Sequence, residues 1–339
     1  MKKQPLVTII TPCCNGEDFL NQYFESILAQ TYKNIELIFV NDGSIDNTEL
    51  IAKSYGTEFE KRDIRYVYLH QKKGGQAKAM NTGLKEMKGE YLVWPDSDDL
   101  LSCDSIEKRV RFLEEHPQYS FVRSNGDFFD FQTKEKLHRI SNLDNRFHED
   151  IFLDLILEET YCCCGCYMIR SNILKKFYPD LTIYESPAGQ NWQLLIPIAG
   201  KYLCGFIDED LYHIAVRSNS HSRQQRTLDE TVDRLFELKK VLNIGIQLSG
   251  RNDRDYDDIV NIKYLKILFR CYMKADDLEQ GELYYRKLRK ANAVENQDYR
   301  LYLKKMHPMV YSAYNMSNLF NRIIHKLCRI TARALYKEG

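Results

Sequence analysis

The chain opens with short, unbroken apolar runs that alternate with longer amphipathic stretches. Residues 6–11 (LVTIIT) form a β-branched run closed by Pro12, the pattern of a buried strand. Over residues 18–30, Phe19, Leu20, Tyr23, Phe24, Ile27 and Leu28 fall on one helical stripe. Residues 35–40 (IELIFV) read as a second buried strand, stopped by Asn41, Asp42 and Gly43, and residues 47–61 as a helix. A third strand over 65–69, a helix over 76–87 and a fourth strand over 91–94 follow. Four such alternations in a hundred residues predict an α/β fold, a doubly wound and mostly parallel sheet with crossover helices.

Near residue 227 the rhythm changes. Helical patterns such as VDRLFELKKVL, IVNIKYLKILFRCYMK and GELYYRKLRKA take over, separated by a polar loop over 249–258. The expected organisation is an α/β domain over 1–217 and a helical region over 218–339. The last twenty residues put Leu319, Phe320, Ile323, Ile324, Leu327, Ile330 and Leu335 at helical spacing, with Arg322, His325, Lys326, Arg329, Arg333 and Lys337 between them. A basic amphipathic helix of this kind either packs on its own protein or lies in an anionic membrane interface, so peripheral membrane contact is one expectation.

Composition narrows the picture further. With 44% apolar and 12% aromatic residues the chain can bury a sizeable core. Lys plus Arg equals Asp plus Glu at 48 each, so no global field favours a polyanion, and nucleic acid is not an expected partner. Of the ten cysteines, Cys13 and Cys14 are adjacent and Cys162, Cys163, Cys164 and Cys166 crowd five positions, where neighbours bridge poorly. The first ten residues hold no apolar run long enough for a secretory leader, and no stretch of about 18 uncharged apolar residues occurs. The expectation is a cytoplasmic, reduced protein. The CCCGC run reads as small buried residues, with a zinc site as the alternative.

Ligands of doubly wound sheets bind beyond the carboxyl ends of the strands. Three polar clusters fall there: TPCCNGE after the first strand, NDGSIDNT after the second and PDSDD after the fourth. Asp96, Asp98 and Asp99 supply hard oxygen ligands of the kind Mg²⁺ or Mn²⁺ shares with phosphate; an acidic turn or helix cap is the other reading. Asp42 stands where a carboxylate can accept from a base or ribose, or can complete a turn with Asn41 and Gly43. Residues 74–83 (GGQAKAMNTG) join a glycine turn to a helix start, suited to lying close to phosphates.

The run VTIITPCCNGEDFLNQYFESILAQTYKNIELIFVNDGSIDNT resembles the opening of family 2 inverting glycosyltransferases of the GT-A fold, and GGQAKAMNTGLKEMKGEYLVWPDSDD resembles the same family's second signature. The resemblance covers residues 5 to 115. It implies a nucleotide-diphosphate sugar donor of UDP-sugar type and a divalent metal, Mn²⁺ or Mg²⁺, held by the Asp-x-Asp motif. It also implies a glycan or lipid-linked glycan acceptor in bacterial surface polysaccharide synthesis, which would place the protein at the inner face of the plasma membrane.

By motif, Asp42 would contact the base, with Pro12, Asn15 and Glu17 lining the nucleoside pocket. Gly75, Lys78 and Asn81 would lie by the phosphates, Asp96 would face ribose, donor sugar and metal, Asp98 would ligate the metal, and Asp99 would either support those groups from behind or sit on the acceptor side. Cys14 stands where the family often has an aromatic residue, and Met80 where it often has Arg, which leaves Lys78 to neutralise phosphate. Farther on, Gln190 and Asn191 occupy the position where the family places an acidic base. Amides do not act as bases near neutral pH. Glu185 is the next candidate base, then Asp180, while Asn191 would position an acceptor and Trp192 would stack on a sugar ring or pack in the core.

His213, Arg217, His221 and Arg223 form a basic stretch after a predicted edge strand, either closing over the diphosphate, chiefly through His221 and Arg223, or linking into the helical region. Two other classes compete. A sugar nucleotidyltransferase of related fold would carry a basic, glycine-rich loop after the first strand, which TPCCNGE is not. A catalytically weak or inactive sugar-nucleotide-binding module is favoured only by the amides at 190 and 191.

Overall fold

Among the described residues nine strands make one sheet: β1 (Val7–Cys13), β2 (Ile35–Asp42), β3 (Arg65–Gln71), β4 (Tyr91–Val93), β5 (Leu100–Leu101), β6 (Phe121–Asp130), β7 (Lys136–Arg139), β8 (Tyr167–Arg170) and β9 (Cys204–Val216). The structure, a computed structural model, describes residues 4–217 and 226–315. The strands run in the order β3-β2-β1-β4-β8-β6-β9-β5, with β7 on β6. β1 is central to the first half. It pairs in parallel with β2 and β4, setting Val7 opposite Ile35 and Tyr91, and β2 pairs in parallel with β3.

Past β4 the parallel rule ends: β8 runs antiparallel between β4 and β6, and β5 antiparallel to β9, while β6 and β9 are parallel. The strand–helix alternation that forces crossovers is confined to the first hundred residues, so the mostly parallel sheet holds only there. The expected helix over 47–61 is two, Thr48–Ser54 and Gly56–Lys61, meeting at Tyr55. Glycine is a poor helix interior residue, and Gly56 stands at the break.

The helical stripe after β1 is real. The helix Leu20–Leu28 buries Leu20, Tyr23, Phe24 and Ile27, and Phe24 meets Phe39, Phe59 and Tyr66 edge-on at 5.3, 5.4 and 6.0 Å. A polar clamp fixes the register beneath it. The fully buried Glu36 carboxylate accepts from Thr8 Oγ1 (2.5 Å) on β1, Arg65 Nη1 (2.5 Å) on β3 and the amides of Lys88 (2.7 Å) and Gly89 (3.1 Å) leading into β4. One carboxylate therefore ties four strands. A buried charge is tolerated when every lone pair is met in this way.

The chain divides into two compact units, Met1–Gln225 with Phe236–Tyr256, and Arg226–Leu235 with Asp257–Gly339. The division does not fall at residue 218, because residues 236–256 belong to the sheet unit: Leu238 and Val241 come within 3.2 Å of where a Cβ on Gly189 would lie. The second unit is helical and is built around Val232, Leu268, Phe269, Met273, Tyr284, Tyr285 and Leu288. Among the described residues no helix is long and apolar enough to cross a membrane.

The helix Gln76–Glu86 lies on β1 and β2 through Gly83, where an added Cβ would come within 2.4 Å of Ile10 Cγ2. Ile10 is β-branched and yields little. Gly83→Ala is therefore expected to destabilise the sheet unit by about 1–3 kcal/mol in chemical denaturation, despite the better helix propensity of alanine.

Candidate active site at the carboxyl rim of the sheet

The loops leaving β1 and β2 are laced to each other. Asn15, in the left-handed region at φ 56°, donates its amide to Ser44 Oγ (2.9 Å) and accepts at Oδ1 from the Ile45 amide (3.0 Å). Glu17 accepts from the amide and side chain of Asn47 (3.1 and 2.9 Å) and donates its own amide to Asp46 (3.0 Å). Gly16 N donates to Thr48 Oγ1 at 2.6 Å. Burial works against the Asp46 charge, yet the Thr48 hydroxyl and the Glu17 and Thr48 amides hold its carboxyl below the usual range. Asp46, Thr48 and Ser44 were not singled out in the sequence; the signal was the polar run SIDNT itself. Pro12 is half-buried at the end of β1.

Asp42, buried at the end of β2, accepts from Gln71 Nε2 (2.7 Å) and from the amides of Gly74 and Gly75 (both 2.8 Å). Its carboxylate thereby shapes the glycine turn that starts the Gln76–Glu86 helix. Gly43 and Gly75 take positive φ of 69° and 89°. A Cβ on Gly43 would sit 2.5 Å from Lys73 N, so the two loops pass backbone to backbone. The stem of the exposed Lys78 lies over Gly74, where a Cβ would come within 2.4 Å of its Cδ.

At the end of β4 the three aspartates have separate fates. Asp96 accepts from Gln76 Nε2 at 2.8 Å, which ties the glycine turn to the acidic loop. Burial and the nearby Asp98 charge push the Asp96 carboxyl up to about 6, against the hydrogen bonds from Cys164 and Gln76. Asp99 is turned inward, 5% exposed, and accepts from Tyr212 Oη (2.6 Å) and the Ala215 amide (2.9 Å). Burial together with the Asp98 and Asp96 charges holds its carboxyl well above the usual range. Both Asp99 oxygens accept from β9, an arrangement that suits the supporting one of its two expected roles. Asp98 keeps a partly exposed carboxylate, and it pairs with Arg217.

Tyr212 and Cys164 complete this cluster and were not found by motif. The Tyr212 hydroxyl accepts from the Asp96 amide (3.2 Å) and lies 3.9 Å from Cys164 Sγ. Gly165 exists to let the ring in, since a Cβ there would fall 2.0 Å from it. Burial and the Asp96 and Asp99 charges keep the Cys164 thiol protonated. The CCCGC run thus packs against the back of the acidic loop.

The segment after residue 180 closes the other side. Asn81, expected near phosphate, spends both polar atoms on Ile183, donating to its carbonyl (2.9 Å) and accepting from its amide (2.8 Å), so it positions this segment instead. Gln193 clamps the Tyr184 backbone in the same two-way manner, at 2.8 and 2.9 Å. Asn191 Oδ1 accepts from Trp94 Nε1 at 3.0 Å, two residues before Asp96. Glu185, directly after the two clamped residues, is exposed. Trp192 is only 6% exposed and packs in the core, the second of its two expected places. His213 is engaged between Asp127 and Ser102, both at 2.8 Å. His221, Arg223 and the basic helix over 318–339 lie outside the described residues.

No group of three or more His, Cys, Asp or Glu among the described residues is arranged to hold a metal by itself. Asp98 fits a different arrangement, in which a hard cation takes one or two carboxylates and fills the rest of its shell from water and phosphate.

Comparison with known proteins identifies the family and the fold. The model of the family described as glycosyl transferase family 2 matches residues 8–178, half of the chain. An uncharacterized glycosyltransferase of Rickettsia typhi is 47% identical over 109 residues, 32% of this chain and 32% of that protein. The minor teichoic acid biosynthesis protein GgaB of Bacillus subtilis is 32% identical over 225 residues, 64% of this chain and 24% of its own length. The chain thus spans about a third or less of these relatives. Among solved structures, TarS of S. aureus in complex with UDP-GlcNAc superposes with a TM-score of 0.54 at 16% identity, covering 88% of this chain and 90% of that one. The mannosyltransferase PcManGT from Pyrobaculum calidifontis, in complex with GDP-Man and Mn²⁺, gives 0.51 at 16% identity over 93% and 88%. At that identity the likeness is one of fold, the GT-A fold.

Because Asp42 carries three internal hydrogen bonds before any ligand arrives, Asp42→Ala is expected to lower stability by about 1–3 kcal/mol in urea without nucleotide present. An unchanged midpoint would show that the glycine turn holds itself.

Proposed function

The chain belongs to glycosyl transferase family 2, and from that premise we propose that it moves a sugar from a nucleotide-diphosphate donor, of UDP-sugar type, to a hydroxyl of a glycan or lipid-linked glycan with inversion at the sugar carbon. The observation that carries this reading is the convergence of the β1, β2 and β4 loops on one rim, with Gln76 bridging the glycine turn to Asp96 and with Asp98 left partly exposed. TarS is described with UDP and UDP-GlcNAc, and PcManGT with GDP-Man and Mn²⁺, which supports a nucleotide sugar as donor class. The name of GgaB supports a cell-surface polymer as the setting.

In this proposal the nucleoside lies over Pro12, Asn15 and Glu17, against the turn that Asp42 shapes, and Lys78 with the Gly75 amide region offers positive charge to phosphate. Asp96 orients the ribose and sugar, and its hydrogen bond from Gln76 fixes the carboxylate's direction. Asp98 would hold Mn²⁺ or Mg²⁺, which when bound supplies charge stabilisation for the departing diphosphate. The acceptor proton needs a base, and Glu185 is the exposed carboxylate of the segment that Asn81 and Gln193 hold in place. Thermal stabilisation by a panel of UDP- and GDP-sugars with Mn²⁺ identifies the donor.

The second reading, a sugar-nucleotide-binding module, is favoured by one observation: Asn191, at the family's acidic position, is an amide engaged by Trp94. Mn²⁺-dependent hydrolysis of the donor separates the two, since a transferase leaks sugar to water and a binding module does not.

Asp98→Ala should abolish turnover and the metal-linked part of donor affinity while melting like wild type; retained turnover with an unchanged metal response removes the metal assignment. Glu185→Gln should slow transfer by about a hundredfold or more and leave donor binding in place, the usual contribution of a positioned base. Transfer at the wild-type rate would move the base elsewhere, and a rate gain in Asn191→Asp would identify position 191 as its lapsed site.

A further inference from the structure

The ion pair between Arg217 and Asp98 joins a partly exposed carboxylate of the acidic loop to a cation. Asp99 is taken by Tyr212 and Ala215, and Asp96 by Gln76. Ala215 and Arg217 are two residues apart at the end of β9, so they lie on one side of the chain and reach consecutive aspartates. The Arg217 guanidinium is centred 4.2 Å from the Phe19 ring and 5.8 Å from the Phe131 ring, a cation held between aromatic faces. Its Nε is buried and has no hydrogen-bond partner among the described residues. The guanidinium is thus fixed at Asp98 but incompletely satisfied there.

We propose that Arg217 holds the cation position at Asp98 in the donor-free protein, so that a divalent cation reaches that carboxylate only by displacing it. The inference rests on the reading of Asp98 as the metal ligand. A guanidinium and a metal ion compete for the same oxygen lone pairs and the same negative potential, and they repel each other at contact distance. Among the described residues Arg217 has no hydrogen-bond acceptor besides Asp98, so without nucleotide the exchange is unfavourable and the metal alone binds weakly. A diphosphate brings acceptor oxygens for the freed guanidinium, including its unpartnered Nε, so nucleotide and metal enter together. The arrangement keeps the acidic loop neutralised in both states.

The test measures Mn²⁺ binding to the full chain without nucleotide, by the EPR signal of free Mn²⁺. Arg217→Gln should bind Mn²⁺ about tenfold or more tightly than wild type, the scale of one charge-assisted pair. Arg217→Lys, which keeps the charge but not the fork, should fall between, and serves if the Gln variant melts early. The gain should vanish when Asp98→Asn is added. Lys134→Gln removes a charge 4.2 Å from the Phe131 ring without touching Asp98, and should give no comparable gain. Mn²⁺ binding in both Arg217 variants that is no tighter than wild type, a gain that survives Asp98→Asn, or an equal gain in Lys134→Gln overturns the exchange. Asp98→Asn with intact binding of Mn²⁺ and UDP overturns the metal assignment beneath it, whereas loss of that binding with an unaltered Arg217→Gln response overturns the exchange alone.

Discussion

Three carboxylates within four residues at the end of a strand repel one another, and the site is organised around containing that repulsion. Like charges this close cannot all ionise freely in a half-buried loop. The chain resolves the conflict by giving each acid a different environment. Asp99 is drawn inward onto Tyr212 and Ala215, where its carboxyl is driven toward the protonated form. Asp96 is intermediate, with Gln76 and Cys164 as donors. Asp98 is left partly exposed and takes a full positive charge from Arg217. A division of labour among identical side chains thus follows from burial and partner alone.

The same economy of buried charge runs through the sheet beneath. Glu36 ties β1, β2, β3 and the approach to β4 through four donors, and Asp42 does likewise for the glycine turn. Both sit on β2, six residues apart and therefore on the same face. One anchors the amino-terminal side of the parallel strands and the other their carboxyl rim. The distance between the β1, β2 and β4 loops is set by these carboxylates as much as by apolar packing. Substitution at Glu36 is therefore a change to the site as well as to the core.

How much of this was legible depended on sequence separation. The first four strands, the stripe Leu20–Tyr23–Phe24–Ile27 and the order of the three rim clusters carry local periodicity, and all were readable. The antiparallel insertion of β8 was not, because a short strand such as Tyr167–Arg170 has no pattern that names its neighbours. The same holds for partners. Tyr212 lies 113 residues from Asp99, and Asn81 lies 102 from Ile183, and no spacing rule spans such gaps. Motif position left Asp99 either supporting the site or on its acceptor side and put Asn81 by phosphate; the hydrogen bonds each makes hold the frame of the loops. Trp192 shows the complementary limit: an aromatic residue one turn into a helix reads the same whether it stacks on a ligand or fills a core.

The amide at position 191 follows from the same electrostatics. Trp94 Nε1 needs an acceptor where it is buried beside the acidic loop, and Asn191 Oδ1 provides one without adding charge. An aspartate there would serve the indole equally well but would set a fourth carboxylate near three that already require Gln76, Tyr212 and Arg217 for compensation. In a chain whose β4 loop is this acidic, neutral Asn191 lowers the negative density beside that loop. Under the proposed transfer, the base then stands farther from the cluster, in solvent and outside the mutual repulsion. The proposed base Glu185 is exposed, and the two residues before it, Ile183 and Tyr184, are held by Asn81 and Gln193 rather than by the acidic residues.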